Sequence, residues 1–221
     1  MADDIVFLID VDNTLLDNDG VQQDIRAYLE RQFGVAGRDR YWDIYARRFA
    51  ELGYADYLGA AQQFRLGALS DPDMLLLGEW LMDYPFAERL YPQALQVIGH
   101  LSQWGKVVVL SDGDAVFQPR KVRRAGIWDA VEGRVQIYVH KETMLTEIEQ
   151  SCPARRYVMI DDKVRILAAM KQGWGERLTT VFPRQGHYAF APDVASFTTP
   201  DATIERIGDL LDYDLPAFAG T

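Results

Sequence analysis

The sequence predicts an α/β fold: a doubly wound, parallel, five-stranded sheet with an α-helical cap inserted after its first strand. Three observations carry that prediction. Five short runs of apolar, β-branched or aromatic residues recur along the chain, with helical material between them. Each run is nearly continuous in apolar residues instead of alternating, as strands covered on both faces are. And about ninety residues, mostly patterned as helix, separate the first run from the second, far more than one crossover takes.

Taken in order, Ile5–Asp10 (IVFLID) is the first strand. Val21, Ile25, Leu29 and Phe33 then recur at helical spacing, as do Trp42, Tyr45, Phe49 and Leu52, and a third set runs from Leu58 to Leu69. Ser70-Asp71-Pro72 reads as the start of a fourth helix holding Leu75, Leu76 and Trp80. Pro85 and Pro92 punctuate the return to the sheet. Residues 18–87 therefore form the cap domain, and 1–17 with 88–221 the core domain. Ala94, Leu95, Val97, Ile98, Leu101 and Trp104 make one apolar helical stripe before the second strand, Val107–Asp112 (VVVLSD). Val135–Val139 (VQIYV), Tyr157–Asp161 (YVMID) and Thr179–Phe182 (TTVF) complete the strands. Ile166, Leu167 and Met170 begin a helix after the fourth strand, and Ile204, Ile207, Leu210 and Leu211 predict a terminal helix.

Composition narrows the partners. With 48% hydrophobic and 25% charged residues, the chain of 221 can bury a sizeable core, and no apolar run approaches the roughly 20 residues of a membrane span. The acidic start passes straight into a strand, so no secretory signal is expected. A lone cysteine, Cys152, makes no intrachain disulfide and suits a reducing compartment; the expected location is cytoplasmic. The net charge of −10 sits almost entirely in residues 1–20 and 193–221. There is no electrostatic footprint for nucleic acid or an anionic membrane. The one dense basic run, Arg120, Lys121, Arg123 and Arg124, reads as a solvated helix face, with a phosphate-contacting role as the alternative. Nothing sets an oligomeric state beyond monomer or homodimer.

In such sheets ligands bind beyond the C-terminal ends of the strands. The first strand ends Asp10-Val11-Asp12-Asn13-Thr14 and the second Ser111-Asp112-Gly113-Asp114; His140-Lys141 follows the third, and the fourth ends Asp161-Asp162. Carboxylates gathered this way repel one another and call for a cation, and an all-oxygen site suits Mg²⁺. Asp10, Asp12, Asp161 and Asp162 are the candidate metal ligands, with Asp162 favoured over Asp161 for direct contact. Asp10 can attack phosphorus in line, and Asp12, two residues on, can serve as general acid and then base. Ser111 and the amides of Asp112 and Gly113 can cradle phosphoryl oxygens, and Lys141 can supply positive charge to the transferring group.

DVDNT, LSDGD, a lysine after the third strand and the IDD pair, in that order, resemble the four motifs of the haloacid dehalogenase (HAD) superfamily, and the helical insertion resembles its C1 cap. The resemblance spans Asp10 to about Phe182. It implies a Rossmann-like core with sheet order 5-4-1-2-3, Mg²⁺ dependence and hydrolysis of a small phosphorylated metabolite. The dehalogenases and phosphonatases of the superfamily lack the second aspartate; Asp12 is present here, so the resemblance implies a phosphatase. Two departures stand out. Glu142 and Thr143 follow Lys141 where proline is common, so Lys163 competes as the phosphate lysine. The tract after the acidic pair reads Lys163, Val164, Arg165, Ile166 where a further acid or amide is usual. A catalytically degenerate binding protein and a phosphomutase are the alternative expectations.

Other residues carry two readings each. His187 after the fifth strand could face the site mouth or sit in a surface loop. Tyr41, Trp42, Tyr45, Tyr54 and Tyr57 could line a substrate slot, but their helical spacing favours the cap's own core. Arg40, Arg47, Arg48 and Arg65 could hold an anion or lie on solvated helix faces.

Overall fold

The computed structural model describes residues 3–66 and 72–213. Strands β1 (Asp3–Ile9), β2 (Lys106–Asp112), β3 (Val135–Tyr138), β4 (Ala154–Ile160) and β5 (Leu178–Pro183) coincide with the five predicted runs. They pair in parallel in the expected order 5-4-1-2-3. A sixth strand, β6 (Ala202–Ile204), adds to the free edge of β5, so among the described residues the sheet has six strands and not five. Ile204 thus belongs to a strand, and in place of the predicted terminal helix there is only a 3₁₀ segment at Ile207–Leu211. The edge of β5 leaves backbone groups that must find partners, and residues 202–204 supply them before the chain can turn helical.

Both faces of the sheet are covered, as the continuous apolar runs imply. Phe7 and Ile9 of β1 join Val107, Val109, Val158, Ile160 and Val181 in one core cluster, whereas Val6 and Leu8 join Val108, Leu110, Tyr157, Met159 and Leu178 in the other.

The insertion is helical. Helix α1 (Asn18–Leu52) is broken at Gly34, whose φ of 69° and ψ of 177° suit glycine alone, so the two predicted stripes are two helices in one run. It is followed by α2 (Tyr57–Arg65) and α3 (Asp73–Asp83). Leu69 and the Ser70-Asp71 helix start fall outside the described residues. Val21, Ile25, Leu29 and Trp42 of the insertion share the core cluster of Phe7 and Ile9. Aromatic contacts join the two parts: Tyr57 to Phe117 at 5.1 Å, Phe117 to Phe86 at 5.6 Å and Phe86 to Tyr84 at 4.9 Å between ring centroids.

Five helices fill the remaining connections: α4 (Ala94–Leu101), α5 (Phe117–Arg124), α6 (Ile127–Ala130), α7 (Leu145–Ser151) and α8 (Val164–Trp174). In α4 the stripe of Ala94, Val97, Ile98 and Leu101 is buried, but Leu95 and Trp104 are exposed; Trp104 lies past the helix end. The basic run of α5 is a solvated face only in part: Arg123 and Arg124 are exposed. Lys121 is fully buried, Arg123 lies 4.6 Å from the centre of the Trp128 ring, and Arg120 and Arg124 reach the end of α3. Arg120 donates to the Met82 carbonyl and to Asp83 at 2.8 Å; Arg124 donates to the Tyr84 and Asp83 carbonyls at 3.1 and 2.6 Å. These are the carbonyls that a helix C-terminus leaves without partners, which is why the cations are drawn there. Among the described residues no helix is long and apolar enough to cross a membrane.

Candidate active site

The loop after β1 builds the centre of the site. Asn13 takes a positive φ of 61°, turning the chain so that its side-chain oxygen accepts the Asn18 and Asp19 amides at 3.0 and 3.1 Å and starts α1. Thr14 accepts the Asp162 amide at 3.1 Å, tying the end of β4 to the same loop. Asp10, Asp161 and Asp162 are buried, and one oxygen from each lies within 4.8 Å of the others.

Lys141 enters this cluster from the segment after β3. Its ammonium, 1% exposed, pairs with Asp10 at 2.5 Å and Asp161 at 2.7 Å and donates to the Leu110 carbonyl at 3.0 Å. Burial alone would lower its pKa, but Asp10, Asp161 and Asp112 outweigh burial and raise it, so it stays charged. Burial raises the carboxyl groups of Asp161 and Asp162; at Asp162 the neighbouring Asp161 adds to the effect. One oxygen of Asp10 and both of Asp162 are buried without a hydrogen-bond partner. Buried carboxylate oxygens left bare are costly unless a cation meets them. The donor set, all oxygen and strongly acidic, fits a divalent metal held by Asp10, Asp161 and Asp162.

Asp12 takes a different setting. Its carboxylate lines a cavity of about 370 Å³ and accepts from Lys121 at 2.7 Å and Gln118 at 3.4 Å. Lys121 also donates to Asn18 at 3.1 Å, and Gln118 to the Ser111 hydroxyl at 3.0 Å. A profile of the haloacid dehalogenase-like hydrolases matches residues 6–173, the span that carries every one of these groups. The chain belongs to that family.

Solved structures agree. This HAD-like hydrolase is 58% identical to a haloacid dehalogenase-like hydrolase from Burkholderia xenovorans LB400, covering 97% of this chain and 98% of that one with a TM-score of 0.91. The HAD-hydrolase YfnB from Bacillus subtilis, solved bound to magnesium, has 17% identity over 95% of this chain and 97% of its own, with a TM-score of 0.58. The 2-haloacid dehalogenase from Pseudomonas syringae has 18% identity, 95% and 97% coverage, and a TM-score of 0.63; these two share the fold. Comparison with curated proteins gives no match.

Within this hydrolase the predicted residues converge, with adjustments. Asp10, Lys141, Asp161 and Asp162 meet directly; the Asp12 carboxylate stays outside the Asp10, Asp161 and Asp162 trio and faces Lys121 instead. Asp112 accepts the Lys141 amide at 2.8 Å, and burial, only partly offset by Lys141, pushes its carboxyl group up to about 6. The Gly113 amide does not face the site: it donates to the Tyr138 carbonyl at 2.8 Å, prolonging the β2–β3 pairing, so it is not a free phosphate donor. Ser111 is buried against Gln118. Lys163 lines the cavity within electrostatic reach of Asp10, Asp161 and Asp162, beside the Tyr188 ring at 4.8 Å, while Lys141 makes the direct contact with Asp10.

His187 is exposed and bonded to Asp19 at 2.6 Å; its neighbour Tyr188, not His187, lines the cavity. Of the insertion's aromatics, Tyr41, Trp42 and Tyr57 are core, but Tyr45 and Tyr54 line the cavity. Arg40 donates to the Phe64 carbonyl at 2.9 Å and Arg48 pairs with Asp56, so neither reaches the site. Sequence reasoning missed Gln118 and Lys121. The signal was available: Phe117, Gln118, Lys121, Val122 and Ala125 fall on one helical face, and that face is buried.

Proposed function

We propose that this HAD-like hydrolase is a Mg²⁺-dependent phosphomonoesterase that works through an aspartyl-phosphate on Asp10. The observation that carries this reading is a pair of carboxylates on one loop in opposed settings. Asp10 is buried against Lys141, and Asp12 opens onto the cavity beside Lys121. Two acids with separate roles need separate environments. The magnesium in the Bacillus subtilis relative and the hard oxygen donors of Asp10, Asp161 and Asp162 support Mg²⁺ as the cation. When bound, the ion supplies charge that offsets the phosphoryl oxygens.

The chain's own groups do the rest. An oxygen of Asp10 attacks phosphorus, the bond from phosphorus to the ester oxygen breaks, and Asp12 gives that oxygen a proton. Asp12 then takes a proton from water, which attacks the phosphorus of the aspartyl-phosphate, restoring the Asp10 carboxylate and releasing inorganic phosphate. Lys141 offsets charge on the transferring group. The insertion, residues 18–87, acts as a cap that keeps bulk water from the cavity during transfer. The substrate on this reading is a small phosphorylated metabolite handled in the cytoplasm, not a nucleic acid or a membrane. A cavity of about 370 Å³ favours such an ester over a two- or three-carbon haloacid, which would leave much of it empty.

The test is hydrolysis of p-nitrophenyl phosphate. Turnover is expected with Mg²⁺, lost with a chelator and lost in Asp10→Asn. Persistence in Asp10→Asn, or halide release from L-2-haloacids without phosphate release, would overturn the proposal. Mg²⁺ binding with no turnover of any phosphate ester would point to a degenerate binding protein.

A further inference from the structure

We propose that the alcohol half of the substrate is a flat aromatic group bearing no second anionic group; this rests on the phosphomonoesterase reading above. The inference comes from the cavity walls. Asp12, the proton donor to the leaving oxygen, lines the same cavity as five aromatic rings, so the group attached to that oxygen lies among them. Tyr45, Phe49 and Tyr54 come from α1 and the turn after it, and Tyr188 and Phe197 from the segment after β5. Tyr45 and Phe197 also pack against the core clusters, whereas Phe49, Tyr54 and Tyr188 belong to neither. Tyr41, Trp42 and Tyr57 are buried in the shared core, while Phe49 is 38% exposed. The Tyr45 and Phe49 rings lie 6.3 Å apart and 26° from parallel, and Tyr45 also stacks on Tyr57 at 5.0 Å, so of this pair it is Phe49 that has a ring face to offer the cavity. Such a face suits a planar ring, which can lie along it with full contact, better than a puckered one.

The charges along the walls limit the ligand from the other side. Among the described lining residues Arg165 is held by Glu142 at 2.6 Å, and Lys163 answers Asp10, Asp161 and Asp162. Asp193 adds a negative charge at the lining. The lining acids Asp12, Asp112 and Asp193 outnumber the lining cations Lys163 and Arg165, which disfavours a second phosphate or carboxylate on the substrate.

Benzyl phosphate and cyclohexylmethyl phosphate test the idea, because both leave as primary alcohols and differ mainly in ring shape. The expected result is a kcat/KM for the benzyl ester higher by roughly three- to tenfold, the size of one ring contact. Phe49→Leu and Tyr54→Leu, which keep apolar volume without a ring face, should erase the ratio. Adding a para-carboxylate to the benzyl ester should lower kcat/KM. Equal turnover of the two esters would overturn the inference and leave the phosphatase reading standing. Binding of benzylphosphonate and cyclohexylmethylphosphonate, measured by calorimetry with Mg²⁺, separates the two failures. Preference for the benzyl compound by a protein that hydrolyses neither ester would sink the phosphatase reading alone. Equal binding, or none, would sink the aromatic one.

Discussion

Lys141 is the cation in direct contact with the buried acids Asp10 and Asp161. Replacing it with methionine leaves Asp10, Asp161 and Asp162 facing one another in a buried site. Breaking a buried pair from one side costs about 3–5 kcal/mol, so Lys141→Met should unfold at markedly lower denaturant in chelator. Mg²⁺ should recover much of the loss, since a divalent ion restores the missing positive charge; denaturation curves with and without Mg²⁺ check this, and identical curves would argue against a cation at the trio. At Asp12 the expected effect is on rate. Asp12→Asn should lower kcat by about 10²–10⁴ and accumulate phosphoenzyme, visible by intact mass after acid quench. Lys121→Met should slow turnover in the same step, because it frees the Asp12 carboxylate from its 2.7 Å partner, and its pH–rate profile should shift relative to the parent. The acidic residues and Lys141 were legible in the sequence because strand-end position and motif spacing together single them out. Lys121 was not, because three arginines around it disguise a single buried cation as a charged surface.

Among the elements, the five central strands announced themselves as continuous apolar runs, whereas β6 has three residues and only Ile204 of them is buried. It is held by a polar tether. The Asp201 carboxylate accepts the Thr180 amide at 2.8 Å, the Thr180 hydroxyl at 2.9 Å and Lys171 at 2.9 Å, so β5, β6 and α8 meet at one side chain. Burial would raise the Asp201 pKa, but the Thr180 and Lys171 contacts outweigh it and hold the group below the usual aspartate range. A folded-state pKa below the unfolded one gives stability that is present above about pH 4 and lost as pH falls further. Asp201→Ala should therefore cost about 1–2 kcal/mol near neutrality, discounted for its partial exposure, and flatten the acid limb of the stability curve. Thermal melts between neutral and acidic pH read both effects. The predicted terminal helix failed for a related reason: the spacing of Ile204, Ile207 and Leu211 fits a helix locally, but the open edge of β5 claims the first of them.

On the scale of the whole molecule, the insertion and the sheet are not separately filled. Val21, Ile25 and Leu29 share a core with Phe7 and Ile9, and the Tyr57, Phe117 and Phe86 rings run between them. Heat should therefore melt the protein in one transition, with calorimetric and van't Hoff enthalpies in agreement; two resolved transitions would show that the helices hold together on their own. The sequence pattern shows that the stretch after the first strand is mostly helical, but the sharing of its apolar face is a tertiary fact that periodicity leaves open. The Arg120 and Arg124 contacts add to it by anchoring α5, the helix that follows β2, to the last turn of α3. For anyone redesigning the enzyme, transplanting a foreign helical segment would remove part of the sheet's cover on one side, whereas exchanging the side chains of Phe49, Tyr54, Tyr188 and Phe197 would leave that cover in place. New selectivities should be sought at those rim positions, one ring at a time.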